Sequence, residues 1–203
     1  MPLPELARLI EVMTRLRREC PWDAEQTHRS LVQHLIEETG ETVEAIETGD
    51  PDHLCEELGD LLFQVVFHAE IAAEQPGGFT LSDVAAGVAD KLIARHPYVF
   101  AGAERPADLL SSWEQRKAVE KGRTSALDGI PEPLSALARA HKIINRSRSH
   151  GVPLELPAEP ITESAAGAEI LAIVARAQAS GVDPDQALRT AVRALEAQIR
   201  TLE

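Results

Sequence analysis

The sequence predicts an all-α protein. Hydrophobic residues make up 44% of its 203 residues but aromatic residues only 3%, and runs of strand-favouring residues are scarce. Alanine, leucine, glutamate and arginine recur instead at helical spacing. In the segment 4–18, for example, Leu6, Leu9 and Met13 fall on one face. A chain of this length can bury one sizeable core and a second small unit.

Proline, glycine and capping residues divide the chain into helices. Cys20-Pro21-Trp22-Asp23 ends the first helix, and Gly49-Asp50-Pro51 separates the second helix from the third. Thr80 followed by Asp83 approximates a helix N-cap signature, and Asp183-Pro184 is a cap followed by a first-turn proline. The predicted helices span residues 4–18, 27–48 or 30–48, 51–74, 80–95, 106–120, 134–149, 161–180 and 184–202.

Charge and composition argue against several classes of function. The net charge of −13 is unsuited to a nucleic-acid surface, so we expect no nucleic-acid partner. No apolar run approaches the length of a membrane span, and we find no signal peptide. Cys20 and Cys55 have no metal-ligand spacing and are expected to be reduced thiols in a cytoplasmic protein.

The most informative stretch, residues 37–60, carries acidic pairs on two consecutive helices. Glu38 and Glu41 lie three residues apart, which places them on one side of the second helix. Glu57 and Asp60 have the same spacing on the third helix, which is apolar almost all round and is therefore expected to be buried. Both pairs thus fall on faces that a folded protein would bury. The apolar neighbours of the first pair are Leu31, Leu35, Ala45 and Ile46, and the second pair shares its polar stripe with Gln64 and His68.

Four carboxylates on buried faces require compensation, because they repel one another and lose their hydration. A divalent cation is the simplest compensation, and ligands that are all oxygens favour Mg²⁺ or Mn²⁺. The alternative is that these acids belong to the solvated surface of an acidic protein. Their positions on the apolar faces of two helices joined by a tight turn favour the metal site.

Positive charges are few, and several of them gather near one loop. Lys91 and Arg95 end the fourth helix beside His96, where cations are also ordinary partners of the helix dipole. Trp113 and Lys117 lie four residues apart on the fifth helix. An acidic protein that handles an anionic substrate needs local cations or metal ions, so these residues are candidates for phosphate contacts.

Two parts of the chain resemble each other, as the copies of an internal repeat do. Aligning the third predicted helix with the seventh puts Ala165 and Ala168 at the positions of Glu57 and Asp60. A counterpart of the second helix is almost absent, so the second copy keeps a packing surface without the acids. Alanine-rich helices align easily, and chance similarity is the alternative.

The acid pattern resembles that of the MazG family of nucleoside triphosphate pyrophosphohydrolases. Glu-Glu-x-x-Glu from Glu37 and Glu-x-x-Asp from Glu57 are joined by a turn, as in that family. Residues 6–151 are covered by the resemblance, whereas the remainder resembles the second repeat of two-repeat members in its last two helices only. Further matching stretches are Cys20-Pro21-Trp22-Asp23, Gln26-Thr27-His28, Arg95-His96-Pro97-Tyr98-Val99-Phe100, Trp113-Glu114 with Lys117, and Ala126-Leu127-Asp128-Gly129-Ile130-Pro131.

The resemblance implies a helical bundle of the all-α nucleotide pyrophosphohydrolase type with a truncated second repeat. Residues 1–121 would be the catalytic MazG-like domain, 122–133 a linker, and 134–203 the degenerate second repeat. The family reaction is Mg²⁺-dependent hydrolysis of a nucleoside triphosphate to the monophosphate and pyrophosphate, with nucleotide-pool housekeeping as the expected role. Family members form dimers or higher assemblies. The alternative is a non-catalytic helical module that binds nucleotide or protein, which the missing second acid set supports.

The resemblance also assigns roles to individual residues. The implied metal ligands are Glu38, Glu41, Glu57 and Asp60. Glu37 acts with Glu38 on the attacking water in this interpretation, although an exposed position suits Glu37 equally. Trp22 stacks on the base or, alternatively, fills a corner between helices. The full set of implied substrate contacts is Trp22, Lys91, Arg95, His96, Trp113 and Lys117.

Overall fold

The computed structural model describes residues 3–203, with Leu110 described by its backbone alone. Within these residues the secondary structure consists of ten α-helices without strands, which confirms the predicted all-α class. None of the helices in the described range combines the length and apolar character needed to cross a membrane. The helices are α1 (Pro4–Glu19), α2 (Pro21–Glu25), α3 (Val32–Thr48), α4 (Pro51–Ala73), α5 (Leu81–Arg95), α6 (Pro97–Phe100), α7 (Leu109–Glu120), α8 (Ala136–Ser149), α9 (Glu163–Ala179) and α10 (Pro184–Leu202).

The turn between α3 and α4 sets the geometry of the acidic segment. Gly49 ends α3 with φ of 73°, a left-handed conformation that favours glycine. Asp50 caps α4, because its Oδ1 accepts hydrogen bonds from the backbone N–H groups of Asp52 at 3.0 Å and His53 at 3.3 Å. Pro51 occupies the first turn, where no backbone N–H is needed. This short turn folds α4 back against α3, and the two helices pack together.

Helix boundaries differ from the prediction where proline or an unrecognised cap begins a helix. Pro21 and Pro97 each start a short helix, α2 and α6, in segments predicted to be irregular. The fifth predicted helix begins three residues late, because the side chain of Asp108 caps it by accepting the N–H of Ser111 at 3.0 Å. Thr80 and Asp83 form the expected reciprocal cap at the start of α5.

The chain forms two compact units, Met1–Ala94 and Arg95–Glu203. In the first unit, α1 and α4 pack around a core of buried side chains: Met13, Leu31, Val66, Phe67 and Ile71. In the second unit, α10 packs against α8 and α9. Its core consists of Ala126, Ile130, Ile143, Val192 and Ile199. The predicted division into residues 1–121, 122–133 and 134–203 remains a prediction.

The expectation that α4 is buried all round is wrong for the single chain. Val66 and Phe67 are fully buried, but Leu58, Leu62 and Val65 on the opposite side are 52%, 42% and 42% exposed. The first unit supplies too few helices to cover both sides of α4. An apolar side of α4 therefore faces outward in the protomer.

Candidate metal and nucleotide site

Three of the four predicted metal ligands come together across the α3–α4 turn. One carboxylate oxygen from each of Glu38, Glu41 and Glu57 lies within 4.8 Å of the other two. Glu57 is buried, Glu38 is half-buried and Glu41 is exposed. The helical spacing and the tight turn thus bring acids from both helices to one place, open to solvent on the side of Glu41.

Asp60, the fourth predicted ligand, interacts electrostatically with this group. Burial raises the pKa of Glu38, and the negative charge of Asp60 is the next largest cause, ahead of Glu41, Glu57 and Glu37. Negative charge around Glu38 therefore disfavours its ionised form. A bound cation would remove this repulsion.

Glu57 provides the most direct indication of a missing partner. Its Oε1 lies 3.2 Å from Nε2 of His53, but its buried Oε2 has no hydrogen-bond partner among the described residues. Buried polar atoms are almost always satisfied in folded proteins, so an unpaired carboxylate oxygen calls for a ligand. A set of carboxylate oxygens that includes such an atom fits a hard divalent cation.

Glu37 lies at the edge of the acid group and faces solvent. Its Oε1 accepts a hydrogen bond from Nε2 of Gln33 at 2.9 Å, and its Oε2 lies 3.3 Å from Nδ1 of His34. Both sequence interpretations of Glu37 are compatible with this position, because an exposed carboxylate can also meet a water molecule beside the site.

The polar stripe of α4 continues beyond the acids to a histidine pair that sequence reasoning did not assign. Nδ1 of His68 lies 2.8 Å from Nδ1 of His28, and the two rings stack with centroids 5.1 Å apart. The buried Oε1 of Gln64 and Nε2 of His68 have no hydrogen-bond partner within the part of the chain that the structure describes. The sequence signals for this pair were the motif Gln26-Thr27-His28 and the position of His68 on the polar stripe of the third predicted helix. Neither signal indicated that the two histidines are in contact.

Acid is expected to destabilise the protein through His68. Burial, and then the neighbouring His28, lower the pKa of His68. The unfolded chain therefore takes up this proton before the folded chain does as the pH falls. Neutral His68 therefore contributes its full share to the free energy of unfolding above the unfolded pKa of about 6.5. That contribution is lost as the pH falls from this value towards and through the lower folded pKa.

A His68→Gln variant should lose less thermal stability between about pH 7.5 and about pH 5.5 than the wild-type protein. An exposed-histidine variant, His150→Gln, is the control, and equal losses in all three proteins would contradict the assignment.

Trp22 lies near the beginning of the first unit and is 51% exposed. Its ring makes T-shaped contacts with the rings of Phe67 and His34, whose centroids lie 6.4 Å and 6.0 Å away, respectively. The ring thus packs on one core residue and leaves about half its surface free, which is compatible with both the structural and the stacking interpretation.

The predicted cationic contacts are divided between the two units. Lys91 is half-buried on α5 in the first unit. Arg95 is only 6% exposed in the second unit, and its Nη2 pairs with Oε2 of Glu120 at 2.7 Å. Its guanidinium also lies over the ring of Trp113, 4.9 Å from the ring centroid. Arg95 and one face of Trp113 therefore already have protein partners.

His96 and Lys117 complete the predicted substrate contacts in the second unit. The ring of His96 lies 5.0 Å from that of Trp113, and both residues line a cavity of about 180 Å³. Nζ of Lys117 lies 3.6 Å from Oε1 of Glu114, and burial lowers the pKa of Lys117. Trp113, His96 and Arg95 thus form one cluster.

Comparison with known proteins identifies the relatives of this chain. A family model described as the MazG nucleotide pyrophosphohydrolase domain matches residues 26–100. An uncharacterized 26.1 kDa protein of Streptomyces cacaoi is 44% identical over 100% of this chain and 84% of its own length. The nucleoside triphosphate pyrophosphohydrolase/pyrophosphatase MazG of Thermotoga maritima is 37% identical over 96% of this chain and 84% of that protein. The nucleoside triphosphate pyrophosphohydrolase of Escherichia coli K12 is 47% identical over 72% of this chain, and the match spans 59% of that protein.

An all-α fold that gathers carboxylates from two consecutive helices has the architecture of an all-α nucleotide pyrophosphohydrolase. Within that class, the chain belongs to the MazG family. The family resemblance inferred from the acid pattern is thereby confirmed.

Proposed function

We propose that this chain hydrolyses nucleoside triphosphates, either ribo- or deoxyribonucleotides, between the α and β phosphorus atoms. The products are the nucleoside monophosphate and pyrophosphate. The observation that carries the proposal is the unpaired, buried Oε2 of Glu57 beside the carboxylates of Glu38 and Glu41. Relatives of this chain that are named nucleoside triphosphate pyrophosphohydrolases support the same reaction.

The acids of α3 and α4 would hold the divalent cation, Mg²⁺ or Mn²⁺. Glu57 would provide its unpaired oxygen, and Glu38, Glu41 and Asp60 the remaining carboxylates. When bound, such a cation neutralises phosphate charge and lowers the pKa of a coordinated water. Removing one ligand would weaken binding of the cation that neutralises the other acids, so we expect the set to function as a unit.

The proposal assigns the remaining roles to other side chains of the chain. Glu37, exposed beside Gln33 and His34, would orient the attacking water or accept its proton, together with Glu38. Lys91, Arg95 and Lys117 would contact the β and γ phosphates and stabilise charge on the leaving pyrophosphate, with His96 alongside. Trp22 and Trp113 would stack on the base.

Analysis of the products tests the reaction. The purified chain is incubated with a mixture of nucleoside triphosphates and Mg²⁺, and nucleotides and phosphates are separated by ion-exchange chromatography. Equal amounts of monophosphate and pyrophosphate are expected. Diphosphate with orthophosphate would indicate cleavage at the other bridging oxygen and contradict the proposal. Binding of nucleotide without any product would favour the non-catalytic module.

Replacing the proposed phosphate contacts should weaken triphosphate binding more than monophosphate binding. Lys91→Ala, Arg95→Ala and Lys117→Ala each remove a positive charge, and loss of one charge-assisted contact reduces affinity by roughly tenfold. The monophosphate lacks the β and γ phosphates and should be affected little. Affinities are measured by calorimetry with a non-hydrolysable triphosphate and with the monophosphate.

Lys121→Ala is the matched control for these variants, because Lys121 is an exposed cation at the end of α7. Circular dichroism checks that Arg95→Ala remains folded, since that change leaves Glu120 without its arginine partner. Equal losses of triphosphate and monophosphate affinity would place these cations away from the phosphates, as helix-end charges.

The outward apolar side of α4 supports a homodimer or a larger homo-oligomer. Leu58, Leu62 and Val65 on α4 and Ile36 and Ile46 on α3 are all more than 40% exposed: 52%, 42%, 42%, 67% and 59%, respectively. Large exposed apolar patches mark interaction sites in proteins. Sedimentation analysis of the wild-type protein and of Leu62→Glu measures the assembly, and a monomeric wild-type protein would contradict the proposal.

A cytoplasmic housekeeping role completes the proposal. The free cysteines Cys20 and Cys55 and the proposed nucleoside triphosphate substrates support this role. Comparing rates for normal and oxidised nucleotides would define which part of the nucleotide pool the enzyme serves.

A further inference from the structure

The second unit contains two buried arginines, and one of them, Arg146, lines a cavity to which the proposed reaction assigns no role. Arg146 on α8 is 2% exposed, and the side chain of Arg123, which follows α7, is 8% exposed. A cavity of about 330 Å³ lies between α7 and α8, and its wall includes Arg146, Lys142 and Asn145. We propose that this cavity is a binding site for a small phosphorylated anion.

Unpaired guanidinium donors carry the argument. Nη1 of Arg146 donates a hydrogen bond to the backbone carbonyl of Asp128 at 2.6 Å. Its Nε and Nη2 are buried without hydrogen-bond partners in the described range, and so are Nε and Nη1 of Arg123. A buried charged group with unused donors is costly, and an anion that accepts from several of them would relieve that cost.

The charges around the cavity are predominantly positive. Burial lowers the pKa of Arg146, and the positive charge of Arg123 lowers it further. Burial also lowers the pKa of Lys117, with Lys142 and Arg123 among the additional causes, so these four cations influence one another at close range. An anion among them would reduce their mutual repulsion.

The nearby carboxylates neutralise this cluster only in part. Glu114 also lines the cavity, but its oxygens are 3.6 Å from Nζ of Lys117 and 3.7 Å from Nη1 of Arg123, which are loose ion pairs. Oδ2 of Asp128 already accepts hydrogen bonds from the backbone N–H groups of Thr124 at 2.8 Å and Ser125 at 3.0 Å. The cluster therefore has capacity for an additional negative group.

The chemistry and the volume of the cavity define the class of ligand. Guanidinium groups match the geometry of phosphate oxygens and bind them through paired hydrogen bonds. A volume of about 330 Å³ lies at the lower end of the range for small-molecule sites. The phosphoryl group could be free phosphate or pyrophosphate, or the phosphate chain of a nucleotide. The same donors would serve each of these anions.

Calorimetry on the full chain tests the site. Phosphate, pyrophosphate and a non-hydrolysable nucleoside triphosphate are titrated separately in EDTA. Without divalent cations neither hydrolysis nor metal-bridged binding at the acids of α3 and α4 contributes. The cavity variants described next separate this site from the proposed direct phosphate contacts of Lys91, Arg95 and Lys117. Saturable binding of at least one anion is expected. Tighter binding of pyrophosphate would assign the site to a free anion, and tighter binding of the triphosphate would assign it to a nucleotide.

Variants locate the binding. Arg146→Met should reduce affinity by about tenfold or more, as expected for loss of a charge-assisted contact. Circular dichroism shows whether Arg146→Met folds. If it does not, Lys142→Met tests the same cavity, because Lys142 is a half-buried cation on the same wall. Arg148→Met is the matched control, because Arg148 is exposed on the same helix and its loss changes the net charge equally.

Two results would overturn the proposal. One is the absence of saturable binding of all three anions to the wild-type protein. The other is an equal loss of affinity in Arg148→Met and in the cavity variants, because binding would then depend on the overall charge of the helix rather than on the cavity.

Discussion

Replacing Glu38 by glutamine, or Asp60 by asparagine, is expected to abolish nucleoside triphosphate hydrolysis while leaving the helical fold intact. Each change preserves the size of the side chain but removes one carboxylate charge from the proposed metal site. Loss of a single charge-stabilising group reduces turnover by about 10²–10³ in well-studied enzymes, and we expect a decrease of at least roughly a hundredfold. Pyrophosphate release measures the activity, and far-UV circular dichroism measures the helix content.

Glu56→Gln is the matched control for this prediction. Glu56 is exposed on α4 next to Glu57, so its replacement removes the same charge outside the carboxylate group. In EDTA, Glu38→Gln should also raise the thermal midpoint by roughly 1–4 °C, because it relieves repulsion worth up to about 1 kcal/mol. Full activity in both Glu38→Gln and Asp60→Asn would show that these two acids are not required as metal ligands.

Millimolar Mg²⁺ or Mn²⁺ is expected to raise the thermal midpoint of the wild-type protein substantially. A ligand that binds only the folded state at about a hundred times its Kd stabilises that state by about 2.7 kcal/mol. For a chain of this size, such a gain corresponds to a rise of roughly 5–10 °C. A non-hydrolysable nucleotide should add to the rise, because its phosphates would provide further oxygen ligands for the cation. Glu57→Gln should lose most of the metal-dependent part.

Monovalent salt at matched ionic strength is the essential control for the thermal shift. The net charge of −13 means that screening alone stabilises the protein to some extent. If salt without divalent cations reproduces the full rise in the wild-type protein, the acids form a solvated surface. If the thermal midpoint of Glu57→Gln rises as much as that of the wild-type protein, the stabilisation does not depend on metal binding by these carboxylates.

Local sequence signals are sufficient to predict the acidic hairpin. The spacing of Glu38 and Glu41, and of Glu57 and Asp60, fixes which side of each helix carries the acids. Gly49 and Pro51 fix where one helix ends and the next begins. Because these signals act over a few residues, the approach of the acids across the turn follows from the amino-acid sequence alone.

Contacts between distant segments could not be predicted in the same way. His28 and His68 are 40 residues apart, and the ion pair of Arg17 with Glu74 joins α1 to the residue that follows α4, 57 residues away. The gathering of Arg123 and Arg146 likewise depends on how α7 and α8 pack. Hydrophobic pattern alone also overestimated the burial of α4, because it does not say which sides of a helix the rest of the chain covers.

The short connection between α3 and α4 also has a consequence for the order of folding. All four proposed ligands lie within residues 38–60, so they are brought near one another when a single helical hairpin closes. Closing so short a segment costs little chain entropy, and helical hairpins with local contacts form rapidly. The carboxylates therefore approach one another early, before the more distant contacts of the chain are made. Divalent cations present during refolding should accelerate formation of this hairpin.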